Sequence, residues 1–295
     1  MDNYVISCES TADLTREHLE RRNIQYICYS YTLDGKDYVD DLGQTISYDQ
    51  FYGAMARGAE TKTAQINVYQ FEEYFEQFLS KGLDVLHLCL SSGITGVLNS
   101  AKLAQEMLAE RYPERKIYLV DSLAASSGSG LLMDRIADLR DQGMSLPNLY
   151  RWVEENKRKL QHWFFSTDLQ YYVRGGRLSK TAGFVGGVLG ICPLLHVNGQ
   201  GQLIPKAKIR GEKRVIQALV EQMEQHAEGG LSYSGKCYIS HSAYKSAAQQ
   251  VADLVTEKFP LLAAPVEIYN IGTTIGSHTG PGTVALFFWG DERID

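Results

Sequence analysis

The sequence lacks most of the patterns that announce a particular chemistry. No apolar run is long enough to span a bilayer. The start, MDNYVISCES, has neither a basic leader nor a hydrophobic stretch behind one, so cytoplasmic residence is the default expectation. Cysteine is sparse: Cys8, Cys28, Cys89, Cys192 and Cys237 are odd in number, scattered, and show no CxxC or Cys/His ligand spacing. That pattern excludes a disulfide framework and a zinc finger and predicts reduced, buried thiols, with no metal. There is no GxxxxGK[ST] phosphate loop, no HExxH pair and no GxSxG elbow. Gly128-Ser129-Gly130-Leu131-Leu132-Met133 misses the third glycine of a dinucleotide fingerprint and reads as the start of a small-residue helix. Basic residues number 29 against 35 acidic ones, a net charge of −6, which argues against general nucleic-acid binding.

What remains is an ordinary globular composition, 44% hydrophobic over 295 residues, with room for two domains. The first half alternates strands and helices. Tyr4 to Cys8 predicts a strand and Thr15 to Arg22 a capped helix, and Ile24 to Leu33 reads as a second strand leading to a turn at Asp34-Gly35. Ser47 and Asn67 are helix caps, the second preceding a stripe of Phe71, Tyr74, Phe75 and Phe78. Thr61 to Gln65 between them reads as a polar loop. Asp84 to Leu90 and Lys116 to Val120 are further strands, each followed by a helix, so a mostly parallel sheet is expected. The helix from Leu146 to about Leu160 bridges to a second half that mixes hairpins and helices. The expected fold is α/β, with a parallel-sheet α/β/α domain over 1–160 and an α+β domain with a mixed sheet over 161–295.

The most distinctive stretch runs from Tyr171 to Arg214. An Arg-Gly-Gly-Arg turn at 174–177 leads into an almost uncharged apolar run from Ala182 to Val197, and that run ends on a basic patch. Lys206, Lys208, Arg210, Lys213 and Arg214 make up the patch, and Glu212 is the only acid between 174 and 214. Backbone-exposing glycines beside an apolar wall and fixed positive charge suit an amphiphilic anion. Ser91-Ser92-Gly93-Ile94-Thr95-Gly96 joins a strand to a helix, where hydroxyls and free N–H groups form an anion site beyond what one capping serine requires. Among seven histidines, His278, flanked by Gly276, Gly280, Pro281 and Gly282, is the best candidate for a positioned donor or acid/base, with His241 second. Arg177 and Arg210 could each neutralise a carboxylate or phosphate.

Taken together, the ordered segments resemble the DegV family of bacterial lipid-binding proteins. They are Ser10-Thr11-Ala12-Asp13-Leu14, Thr63-Ala64-Gln65, Ser91 to Gly96, Val120-Asp121-Ser122, Val173 to Ser179, Pro193 to Arg210, and His278-Thr279-Gly280-Pro281-Gly282. The resemblance implies a cytoplasmic, non-catalytic protein that holds one long-chain fatty acid in a tunnel between its domains, with no cofactor. It also implies a partner, an ATP-dependent fatty acid kinase that phosphorylates the presented carboxylate; transient contact with a membrane surface is allowed for, and nucleic acid is not. Carried over by position, Thr63 and the Ser91/Ser92 pair would bind the carboxylate, Arg177 and His278 would complete its network, and Arg210 would lie near the mouth. Phe184, Val188, Leu189 and Ile191 would line the tunnel. The sequence departs from the family pattern at Glu9, where Asp is usual, and at Ala64 and Ile66 of the threonine loop. Burying roughly fifteen methylenes at about 0.8 kcal/mol each gives on the order of 12 kcal/mol gross, against an association cost from about 4 kcal/mol upward. Two other readings stay open: a Ser/His acyl hydrolase using Ser92 and His278, and a lipid-responsive regulatory sensor.

Overall fold

The computed structural model of the chain describes residues 3–179 and 190–294. Phe184, Val188 and Leu189 lie outside the described residues. Ile191 opens a strand.

The alternating half of the sequence builds a four-stranded, fully parallel sheet in the order β2-β1-β6-β7. Its strands are β1 (Tyr4–Glu9), β2 (Gln25–Ile27), β6 (Asp84–Cys89) and β7 (Ile117–Asp121). The second half builds a six-stranded mixed sheet in the order β10-β9-β8-β13-β11-β12. Here β8 is Leu160–Ser166, β9 Ile191–Val197, β10 Leu203–Arg210, β11 Tyr238–His241, β12 Glu267–Asn270 and β13 Thr283–Trp289. All its pairs are antiparallel except β11 with β12.

Two local expectations are corrected, and one further element is added. Residues 24–33 do not form one strand: the chain leaves the parallel sheet after Ile27, and Ser30–Leu33 (β3) pairs instead with Lys36–Val39 (β4). Thr61–Ala64 is a strand (β5), not a loop, and completes this three-stranded antiparallel sheet on the other edge of β3. Alternation of half-buried and exposed residues in TKTA is short enough to read as a loop until a partner strand supplies the hydrogen bonds. The segment 271–282 contains a helix, α10 (Thr273–Thr279).

The layers follow from which faces are apolar. Helices α3 (Val68–Leu79) and α4 (Val97–Arg111) cover one face of the parallel sheet, burying Phe71, Phe75, Phe78, Val97, Ala101, Ala104 and Leu108 as their spacing predicts. Helix α5 (Ser127–Asp141) lies between the two large sheets, and one buried cluster runs through it from Ile6, Leu86 and Val120 to Phe164, Leu195 and Phe287. That position explains its small start. A Cβ on Gly128 would meet His162 Nε2 at 2.2 Å, and one on Gly130 the Ala12 carbonyl oxygen at 2.7 Å. Helices α8 (Glu212–His226) and α9 (Lys245–Lys258) cover the outer face of the mixed sheet. The boundary at residue 160 is the first residue of β8, and the buried cluster crosses it.

Two buried carboxylates fix α10 against the rest. Asp13 accepts from Gly272 N (2.9 Å) and from Ser126 Oγ (2.5 Å), while Asp40 accepts from Thr273 Oγ1 (2.8 Å), Thr274 N (3.3 Å) and Ser10 Oγ (3.2 Å). Burial, with Asp40 nearby, pushes the Asp13 carboxyl well above the usual carboxylate range, so what these groups supply is acceptors for the N–H groups left open at a helix start. The anchored start aims the last turn of α10, which carries His278, at β5 and at the helix α7 (Gln170–Arg174).

Candidate functional site

A narrow, mostly apolar cavity lies between the inner face of the mixed sheet and the segments that follow β6 and β12. It encloses about 820 Å³ of space between atoms, the open solvent at its mouth included. One wall is the inner face of the mixed sheet, where Thr283, Ala285 and Phe287 follow one another on β13 beside Phe164 and His162 of β8. Leu90, Ile94, Ile271 and Ile275 form much of the opposite wall. Polar side chains gather toward one end: Thr63 of β5, Gln65, Thr95, Arg177 after α7, and His278 of α10. The same end opens into a cleft that shares Thr63, Gln65, Arg177 and His278 and adds Glu60, Lys62 and Arg174.

The polar end is built from the chain upward. His278 Nε2 and Thr63 Oγ1 are 2.7 Å apart, joining α10 to β5. Gly175 makes this contact possible, because a Cβ there would stand 2.4 Å from His278 Nδ1. Arg177 Nη1 donates to the Gly175 carbonyl at 2.5 Å, which turns the guanidinium back toward the same spot. Arg177 makes no ion pair with any described residue. Burial lowers its pKa, with the charge that Tyr29 could carry working in the opposite sense. Burial, helped by the neighbouring Arg177 charge, lowers His278 to about 4, so the imidazole is neutral at pH 7. Behind them, Thr95 Oγ1 donates to Gln65 Oε1 at 3.4 Å, and Tyr29 OH donates to Glu9 Oε2 at 3.1 Å.

Of the residues singled out in the sequence, Thr63, Arg177 and His278 come together. Ser91 and Ser92 are placed elsewhere. Ser91 is buried; its hydroxyl donates to the Gly201 carbonyl (2.9 Å) and accepts from Gly93 N (3.1 Å), tying the β9–β10 turn to the start of α4. Ser92 is exposed, and its hydroxyl donates to Asp121 Oδ2 at 2.5 Å. Neither lines the cavity; the third hydroxyl of the same loop, Thr95, does. No hydrogen bond joins Ser92 to His278, so the nucleophile–base pair of a hydrolase is not assembled. Arg210 is exposed at the end of β10, outside the cavity wall. His241 is buried at the end of β11 and does not line the cavity, whereas His162 does.

The sequence passed over Thr95, Gln65 and Tyr29. The signal for Thr95 was its place in the Ser91–Gly96 loop, immediately before the Gly96 N-cap of α4. Ser91→Ala is expected to cost about 1 kcal/mol of stability by stranding the Gly201 carbonyl. Ser92→Ala should fall within about 0.5 kcal/mol of wild type, as exposed substitutions do. Thermal melts of the two variants, with ligand titrations that should match wild type, check both.

Comparison with known proteins shows the family and the fold. Residues 4–291 match the family model described as "Uncharacterised protein, DegV family". A DegV domain-containing protein of Clostridium perfringens is 36% identical over 293 residues, covering 99% of both chains. A DegV family protein from Thermus thermophilus, whose structure is described as showing fatty acid binding, superposes with a TM-score of 0.85 at 25% identity over 98% of this chain and all of that one. The fatty acid kinase (Fak) B3 protein of Streptococcus pneumoniae, solved loaded with linoleic acid, shares the fold with a TM-score of 0.83 at 23% identity, over 98% of this chain and all of that one. Among the described residues, no helix is long and apolar enough to cross a membrane.

Proposed function

This chain belongs to the DegV family, and on that premise we propose that it binds one long-chain fatty acid, tail in the apolar cavity and carboxylate at its polar end. The observation that carries the reading is Arg177: a half-buried guanidinium without an acidic partner among the described residues, set at the end of a mostly apolar cavity. A buried cation of that kind is favourable only when an anion meets it. Thr63 supplies a hydroxyl donor, and the Thr95 hydroxyl supplies a second once it turns from its long 3.4 Å contact with Gln65 Oε1 to the carboxylate. In its Nε2–H tautomer, neutral His278 donates to Thr63 Oγ1 and leaves the Thr63 O–H free for the carboxylate. Ser91 and Ser92 drop out of the head-group set in favour of Thr95.

The second part of the proposal is presentation. The polar end opens on the cleft carrying Lys62 and Arg174, through which a partner fatty acid kinase would reach the carboxylate, with ATP held by the kinase; Arg210 offers that partner a surface contact. The chain itself acts as a carrier and turns over no ester. Native mass spectrometry of the purified protein, followed by solvent extraction, tests the first part. One fatty acid per chain is expected, and a protein that cannot be loaded with any acid of about sixteen to eighteen carbons, the length the roughly fifteen-methylene estimate assumes, would sink the reading. For the second part, acyl phosphate should form only when kinase, ATP and loaded protein are all present.

A further inference from the structure

Behind the wall of the lipid cavity lies a second cluster that the fatty-acid reading does not use. We propose that Glu9, His87 and Cys89 form a buried binding site for one zinc-like divalent ion. Glu9 ends β1, and His87 and Cys89 alternate along the adjacent β6, so all three side chains leave the parallel sheet on the face covered by α3. One donor atom from each lies within 4.8 Å of the others, and the three residues are at most 2% exposed.

The donors are oriented before any ion arrives. Glu9 Oε2 accepts from Leu90 N (2.9 Å), Tyr29 OH (3.1 Å) and Thr11 Oγ1 (3.4 Å), which turns Oε1 inward. His87 Nδ1 pairs with Ser7 Oγ at 2.9 Å, and Phe71 and Phe75 pack edge-on against the ring, fixing its plane. Glu9 Oε1 and His87 Nε2 then face each other at 3.8 Å, neither has an N–H or O–H partner among the described residues, and the Cys89 thiol lies against the Glu9 carboxylate. That separation is too long for a hydrogen bond between them. It suits two ligands of one ion, since bonds of about 2.0–2.3 Å place ligand atoms within about 4 Å of each other. Imidazole, thiolate and a single carboxylate oxygen favour zinc over calcium or magnesium. Two anionic donors cancel the charge of a divalent ion, so the complex is neutral in apolar surroundings. The pairing of Nδ1 with Ser7 is the outer hydrogen bond that ligating histidines commonly carry. No sequence motif reveals the set, because Glu9 and His87 are brought together only by strand pairing.

Because the site is buried, the ion would enter as the chain folds. The test is therefore expression of the full chain in cobalt-supplemented minimal medium, and refolding with one equivalent of Co²⁺ or Zn²⁺, followed by metal analysis and absorption spectroscopy. The expected result is close to one ion per chain and, with cobalt, a thiolate-to-metal charge-transfer band. Cys89→Ser should lower retained metal at least tenfold and abolish the band, Glu9→Gln should lower retained metal similarly, and Cys28→Ser should change neither. A folded wild-type chain that retains no more metal than Cys89→Ser overturns the proposal and assigns the gap to an ordered water. A band that survives Cys89→Ser overturns it as well.

Discussion

Arg177→Met is expected to weaken fatty-acid binding on the order of a thousandfold, because an unpaired buried charge costs about 3–5 kcal/mol and each 1.4 kcal/mol is about tenfold. Methionine keeps the stem's apolar contacts, so the loss isolates the charge. The same variant should bind the matching methyl ester or alcohol within about threefold of wild type, since neither ligand brings an anion to be stranded. Calorimetric titration of acid and ester against both proteins measures the split. Equal losses for acid and ester would mean that the variant had damaged the cavity rather than removed a counter-ion.

His278 should behave differently from Arg177. With its pKa held near 4 by burial and by the Arg177 charge, it carries no charge between pH 8 and 5, so it contributes geometry through Thr63 rather than charge. Affinity should therefore show no rise as pH falls through about 6.5, the ordinary histidine value. An increase there that His278→Gln abolished would establish an imidazolium in the site and contradict this assignment. Stability carries the opposite sign: the unfolded chain binds the proton first, so this part of the stability is full above about pH 6.5 and is lost as pH falls toward 4.

Ala285→Phe is the second substitution with a large expected effect. Ala285 sits on β13 between Thr283 and Phe287, lines the cavity and is 6% exposed. A phenyl ring there would occupy the tail's path. Displacing about four methylenes at about 0.8 kcal/mol each removes about 3 kcal/mol, on the order of a hundredfold in Kd for long acids. Short-chain acids, which need only the polar end, should lose little, so the preferred chain length shifts downward. Overpacking costs about 1–3 kcal/mol of stability in addition, so a thermal melt must accompany the binding series. Unchanged affinity for long acids in a folded variant would place the tail elsewhere.

The limits of the sequence show in particular residues. The Asn67 and Ser47 caps, each closed as a capping box, and the phenylalanine stripe of α3 could be read directly because caps and helical periodicity are local. His278 and Arg177 were legible as candidates because glycines and charge set them apart from their neighbours. The placement of the serine pair was not legible, for a reason equally physical. Which way each hydroxyl of a turn points depends on distant partners: Ser91 turns inward to Gly201 and Ser92 outward to Asp121, while Thr95 reaches the cavity.

By itself, then, the sequence determined the alternation of strands and helices, the parallel sheet, and the amphiphilic character of the 171–214 stretch. Each of these depends on residues close together in the chain. Tertiary structure alone decided that 61–64 is a strand, that 273–279 is a helix, and that Thr63, Thr95, Arg177 and His278 share one end of a cavity. A short strand exists only once β3 lends it hydrogen bonds, and a helix of seven residues holds only when Asp13 and Asp40 secure its start. Those partners lie between about thirty and two hundred and sixty residues away, beyond the reach of any local pattern.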